Sequence, residues 1–241
     1  MSWSKHIQII GQGMPLVWFH GFGFDKNIWQ ALATSLEDHF CSYLVDLPGF
    51  GGSPELEWEV FKDALLIDLP EKFNILGWSL GGLYATRLAI EMPNRVSHLI
   101  NVASSPFFIK QKGWPGVPKS QFGAFCDNLM QDPEKAMQTF IQSYNMGIFP
   151  IENTAPAYRL SSLLAGLEAL RLWDLRKLLA NLQCPAFYIF GSHDSIIPRG
   201  LCKVMQKSHS RFRYALIESA GHAPFSSHKS LFIHELKQFL L

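Results

Sequence analysis

Cysteine is scarce in this chain, and what there is lies scattered. Cys41, Cys126, Cys184 and Cys202 stand far apart with no C-x-x-C pair, which excludes a cysteine-rich zinc site and a disulfide framework and gives no reason to expect a metal. Long apolar runs are missing too: none approaches the roughly 20 residues that a membrane span needs. No sign of charge dominates. With 21 Lys and Arg against 20 Asp and Glu the formal net charge is +1, so neither nucleic acid nor a membrane surface is an expected partner. Met1-Ser2-Trp3-Ser4-Lys5-His6 lacks the charged-then-apolar layout of a signal peptide, and the chain has no internal repeat or low-complexity tract. The default expectation is a soluble protein of the reducing cytoplasm, and a monomer is expected. What is present, 241 residues of which 48% are hydrophobic and 13% aromatic, suffices for a thick core or an apolar pocket.

The apolar pattern divides the chain in three. Leu16–Phe19, Ser42–Val45, Phe73–Leu76 and Val96–Val102 read as strands. Between them fall a helix marked by Ile28, Leu32 and Leu36, a second over residues 57–66, and a third carrying Leu80, Leu83, Ala85, Leu88 and Ala89 on one face. From about Phe107 to Leu182 the strand signal vanishes. Helical spacing takes over at Leu129, Met137, Phe140, Ile141 and Tyr144, and again from Leu160 through Leu163, Leu164, Leu167 and Leu170 to Leu178. Alternation resumes with a strand at Ala186–Phe190, a helix near 200–207, a strand at Tyr214–Ile217 and a helix from about Ser227 to Phe239. The expected fold is α/β: a mostly parallel central sheet with helices on both faces, formed by residues 1–106 and 183–241, with residues 107–182 inserted as a helical segment.

The motif with the clearest chemistry is Gly77-Trp78-Ser79-Leu80-Gly81, a G-x-S-x-G elbow between a predicted strand and a predicted helix. Such an elbow holds a serine hydroxyl up on a sharp turn. A hydroxyl is a poor nucleophile until a base takes its proton. Imidazole titrates in the right range, and a carboxylate then fixes its tautomer and stabilises the imidazolium. Ligands of open parallel sheets bind beyond the carboxyl ends of the strands, and there the polar residues gather: His20-Gly21-Phe22-Gly23, Asp46, Ser79, His193-Asp194 and Gly221-His222. The order Ser79, Asp194, His222 is that of the serine hydrolases with this elbow.

The alternatives are readily weighed. His39, His98, His209, His228 and His234 fall in or beside predicted helices and strands. His193 adjoins Asp194, and neighbours on an extended segment point apart, so the two cannot easily form a relay. His222 sits in a loop after the last strand. Asp46 is the rival acid, but Asp46-Leu47-Pro48-Gly49 reads as a structural turn whose carboxylate bonds backbone amides. The oxyanion of acyl transfer needs two donors. The Leu80 amide supplies one at a helix N-terminus, and the loop after the first predicted strand supplies the other, with Phe22 N–H the candidate and His20 a brace. Phe22, Trp78, Phe107, Phe140, Tyr144 and Phe225 are either plain core, as aromatics at helical spacing more often are, or candidates to line an acyl pocket, Phe22 and Trp78 foremost because they adjoin the catalytic motifs and Phe140 by analogy alone.

Together the five motifs resemble the α/β-hydrolase superfamily over essentially the whole chain, and a serine nucleophile separates it from the dehalogenase and epoxide-hydrolase branches. Within that superfamily, Leu76-Gly77-Trp78-Ser79-Leu80-Gly81-Gly82-Leu83, Val102-Ala103-Ser104-Ser105-Pro106, Trp114-Pro115-Gly116, Asn145-Met146-Gly147 and His222-Ala223-Pro224-Phe225 look like the pimeloyl-[acyl-carrier protein] methyl ester esterases of biotin synthesis. The resemblance implies hydrolysis of a methyl ester on an acyl chain borne by acyl carrier protein, with no cofactor. It also implies a basic lid that docks the acidic carrier. Residues 107–182 hold eight Lys and Arg (Lys110, Lys112, Lys119, Lys135, Arg159, Arg171, Arg176, Lys177) against six Asp and Glu (Asp127, Asp132, Glu134, Glu152, Glu168, Asp174), a surplus of two. The insert is also shorter than that family's lid would lead one to expect. The rival readings are a general short-chain carboxylesterase without a carrier partner, a Ser–Asp–His lyase or carbon–carbon hydrolase, and a non-catalytic receptor on the same fold.

Overall fold

A computed structural model describes residues 2–143 and 158–241. Of the positions named above, Met1, Tyr144, Asn145-Met146-Gly147 and Glu152 lie outside the described residues. The strands are β1 (Ile7–Ile10), β2 (Met14–Phe19), β3 (Phe40–Val45), β4 (Phe73–Trp78), β5 (Val96–Val102), β6 (Ala186–Gly191) and β7 (Arg213–Ile217). They form one sheet in the order β1-β3-β2-β4-β5-β6-β7. All neighbours are parallel except β1, which runs antiparallel to β3 with Ile7 opposite Val45. The α-helices of the described residues are α1 (Gln30–Thr34), α2 (Trp58–Asp68), α3 (Leu80–Glu91), α4 (Lys119–Gln131), α5 (Pro133–Gln142), α6 (Leu160–Leu172), α7 (Gly200–Ser208), α8 (Pro224–Ser227) and α9 (Lys229–Leu240). None is long and apolar enough to cross a membrane.

Every residue of β4 and of β6 is buried, as expected of strands covered on both faces. The alternation of strand side chains sorts the apolar residues into two cores. Val17, Phe19, Val45 and Ile75 join Leu83 and Leu88 on one side of the sheet. Leu16, Trp18, Leu44, Leu76 and Trp78 meet Phe232 and Leu236 of α9 on the other.

The six strands expected from the sequence are present, most of them a residue or two longer than their apolar runs. β1 was not expected: four residues ahead of Gly11-Gln12-Gly13 are too short to carry a period. The helix marked by Ile28, Leu32 and Leu36 is in fact a 3-10 turn over Lys26–Trp29, capped by the Asp25 carboxylate on Asn27 N, running into the five-residue α1. Between β5 and β6 the chain holds a tight loop, where Lys110 N donates to Val117 O and Val117 N to Phe108 O, and then α4, α5 and α6.

Candidate active site

Ser79 stands between β4 and α3 with φ 53° and ψ −116°. A side-chain-bearing residue with positive φ is strained by about 1–3 kcal/mol and persists only where its surroundings enforce it. Here the enforcement is visible. The Ser79 amide donates to Val102 O at 2.9 Å, tying the turn to the end of β5. Gly81 lies so close to β2 that a Cβ there would come within 2.5 Å of the carbonyl oxygens of both Phe19 and His20. The glycine therefore lets the first turn of α3 touch the strand end from which the His20–Gly23 loop departs.

His222 follows β7 and is fully buried. Its Nδ1 lies 2.8 Å from Asp194 Oδ2, and both side chains are 0% exposed. The other carboxylate oxygen, Oδ1, accepts the amides of Ile196 at 2.8 Å and Ile197 at 2.9 Å. Asp194 is thus held by its own loop, and an acceptor at Nδ1 makes Nε2 the basic nitrogen of neutral His222. The indole N–H of Trp78, next to Ser79, donates to the His222 carbonyl at 2.8 Å. That bond clasps the serine turn to the histidine loop across 144 residues of sequence.

The model of the alpha/beta hydrolase family matches residues 16–234. The chain belongs to the alpha/beta hydrolase family. Two curated relatives carry the name pimeloyl-[acyl-carrier protein] methyl ester esterase. The one from Legionella pneumophila (strain Corby) is 46% identical over 236 residues, covering 98% of this chain and 98% of its own. The one from Aeromonas hydrophila is 34% identical over 252 residues, covering 98% and 99%. Among solved structures, an esterase from Exiguobacterium antarcticum superposes with a TM-score of 0.87 at 22% identity, over 97% of this chain and 94% of that one, a likeness of fold.

The loop after β2 and the serine turn after β4 face a cavity. It has a volume of about 590 Å³, and Ser79, Phe22, Phe125, Phe140, Leu167 and Ile196 are among the residues lining it. Phe22 meets Phe140 edge-on at 5.5 Å between ring centroids and Phe125 at 6.1 Å, so the loop after β2 joins α4 and α5 in one aromatic wall. The Leu80 amide opens α3, where the first-turn N–H groups have no intrahelical acceptor.

Several expected residues lie elsewhere. Trp78 was expected to face the pocket but is buried behind the serine turn. It packs on Phe24 at 5.0 Å and Phe225 at 5.1 Å, and a Cβ on Gly21 would fall 2.7 Å from its ring. Phe225 belongs to that same core, and Phe107 lies under the Arg176 guanidinium at 4.6 Å. His20 braces its loop as expected: Nδ1 lies 2.9 Å from Gly21 O, and Nε2 accepts Leu47 N at 2.9 Å. Both nitrogens are used in the neutral form, and burial pushes the His20 pKa below its ordinary value. Asp46, the rival acid, is turned instead to Lys26, accepting its amide at 2.9 Å and its ammonium at 2.5 Å.

Ser104, quoted above only within the Val102–Pro106 motif, had no role assigned to it from the sequence. It is 1% exposed and donates its hydroxyl to the Ser79 carbonyl at 2.7 Å. Its signals were that motif and its place two residues past a strand end.

Proposed function

We propose that this protein is a serine carboxylesterase that hydrolyses the methyl ester of pimeloyl-[acyl-carrier protein], giving methanol and the free carboxylate on the carrier, in biotin synthesis. The observation that carries the substrate is the 46% identity over 98% of both chains with a protein of that name. In the reading, Ser79 Oγ attacks the ester carbonyl while His222 Nε2 takes its proton. Asp194 holds Nδ1–H and stabilises the imidazolium. The amides of Phe22 and Leu80 receive the negative charge of the tetrahedral intermediate. Collapse expels methanol, which takes the proton from His222. Water, deprotonated by the same nitrogen, then hydrolyses the acyl-enzyme and restores Ser79.

The apolar part of the cavity wall, with Phe22, Phe125, Phe140, Leu167 and Leu170, supports an uncharged ester as substrate, because a carboxylate held against it carries an unfavourable desolvation cost. Residues 107–182 act in this reading as a lid, with Phe140 of α5 on the acyl chain. Lys135, which lines the same cavity, puts one of the lid's cations where an acidic carrier would approach. The protein works as a monomer in the cytoplasm, where Cys41, Cys126, Cys184 and Cys202, all free, stay reduced.

The test is hydrolysis of methyl pimeloyl-carrier protein followed by mass spectrometry, together with rescue of a biotin-requiring bacterium that lacks its own esterase. Conversion and rescue by the wild type, and by neither with Ser79→Ala, are expected. Equal kcat/KM on free methyl pimelate and on the carrier-borne ester would instead mark a general carboxylesterase. No hydrolysis of either ester, with Ser79 still reactive, would mark a lyase or carbon–carbon hydrolase.

A further inference from the structure

Ser79 is tied to the end of β5 twice. Its amide donates to Val102 O, and its carbonyl accepts the Ser104 hydroxyl at 2.7 Å. The second tie matters because of which peptide it holds. The carbonyl of Ser79 and the N–H of Leu80 are opposite ends of one planar unit, so whatever fixes the oxygen fixes the direction of the hydrogen.

The same oxygen also accepts Gly82 N at 3.0 Å and Leu83 N at 3.3 Å, but those bonds come from α3 itself. Ser104 lies just beyond β5, next to Ala103, whose amide is bonded to β6, and it sets that peptide against the sheet. The approach is built on both sides. Ala103 has φ 45° and its amide donates to Ile189 O at 2.8 Å, which turns the chain so that Ser104 faces α3. Gly82 leaves the space: a Cβ there would come within 2.4 Å of Ser104 Oγ. A donor on the carbonyl also polarises the amide and strengthens its N–H as a donor.

We propose that Ser104 is a positioning residue for the oxyanion site, holding the Ser79–Leu80 peptide so that the Leu80 N–H faces the developing negative charge. This rests on the reading of Ser79 as the nucleophile. Ser105 provides the contrast. It is equally hidden at 3% exposure, and its hydroxyl donates to Phe107 O at 2.6 Å, away from the serine turn.

The experiment compares Ser104→Ala, Ser104→Cys and Ser105→Ala on p-nitrophenyl butyrate, with inhibition by an alkyl trifluoromethyl ketone, whose adduct mimics the tetrahedral oxyanion. Complete loss of such a donor costs on the order of 10²–10³ in rate, so its misalignment in Ser104→Ala lowers kcat by about tenfold. KM stays within about twofold, and affinity for the ketone falls by the same factor as kcat/KM. Ser104→Cys, with its weaker donor, falls between. Ser105→Ala loses comparable thermal stability but keeps its kcat.

Three results would overturn the proposal: a folded Ser104→Ala with wild-type kcat, a rate loss that leaves ketone affinity untouched, or equal rate losses in the two alanine variants. If Ser104→Ala does not fold, wild-type kcat and ketone affinity in Ser104→Cys contradict it. Failure of the wild type to react with a fluorophosphonate at Ser79 is a separate outcome and removes the nucleophile reading itself.

Discussion

α3, the helix behind Ser79, buries eight of its twelve residues, whereas α4, which walls the cavity, buries Leu129 alone of its thirteen. α5 is little better, with Ala136 and Met137. The contrast separates two tasks. The groups proposed for bond breaking sit at strand ends where the core over-determines their positions, enough to hold Ser79 at φ 53°. The groups proposed to choose the acyl chain sit on helices with few buried anchors, which can shift at little cost. Reaction geometry is thus kept rigid and substrate choice adjustable. The exception in the insert is α6, which buries six residues including Leu163 and Leu167. Close behind its end, Trp173 meets Trp58 of α2 edge-on at 5.5 Å, and the Arg87 guanidinium lies over both rings, at 4.4 and 4.9 Å.

The comparison breaks most sharply at Asp194. Asp194→Asn removes the acceptor that fixes the His222 tautomer and lowers kcat on short and long esters alike by roughly 10³–10⁴, with melting little changed. Steady-state rates on p-nitrophenyl acetate and on an eight-carbon methyl ester check this, and a loss confined to the longer ester would contradict it. Phe140→Ala tests the other side. It opens the aromatic wall beside Phe22 and Phe125, lowers kcat/KM on the long ester by about tenfold and leaves the acetate unaffected, since only the extended acyl chain loses apolar contact there. Equal losses on both substrates would mean that the wall also supports the reacting groups.

The smallest effect is on stability. Burial lowers the pKa of His20 from its ordinary 6.5, so as pH falls through that value the unfolded chain binds a proton before the folded chain does. Stability is therefore fully present above about pH 7 and declines below about 6.5. His6, His98 and His209, also lowered mainly by burial, act in the same direction. Urea midpoints measured against pH give the slope, and a midpoint that rises on acidification would contradict the neutral, doubly bonded His20.

Much of this was legible beforehand because parallel strands ending in polar residues advertise one edge of a sheet. Asp194 and His222 could be paired from their order after Ser79 and their places beyond strand ends. Trp78 was misread, although its own strand held the answer: Leu76 and Trp78 share a face, so the indole had to enter the core beneath the turn. Ser104 was invisible in another way. Nothing in Ala-Ser-Ser-Pro distinguishes two adjacent serines; what separates them is the approach of α3 over Gly82, a contact made only by the folded chain. β1 escaped because four residues cannot display a period.

Ser79 is the proposed bearer of the reacting oxygen. The most direct measurement of that role is intact-mass analysis after exposure to a fluorophosphonate, with the adduct mapped by peptide sequencing and residual esterase activity followed in parallel. One adduct on Ser79, activity falling in step with labelling, and neither label nor activity in a folded Ser79→Ala are predicted. An Ser79→Ala protein that still hydrolyses p-nitrophenyl esters at the wild-type rate would contradict the account.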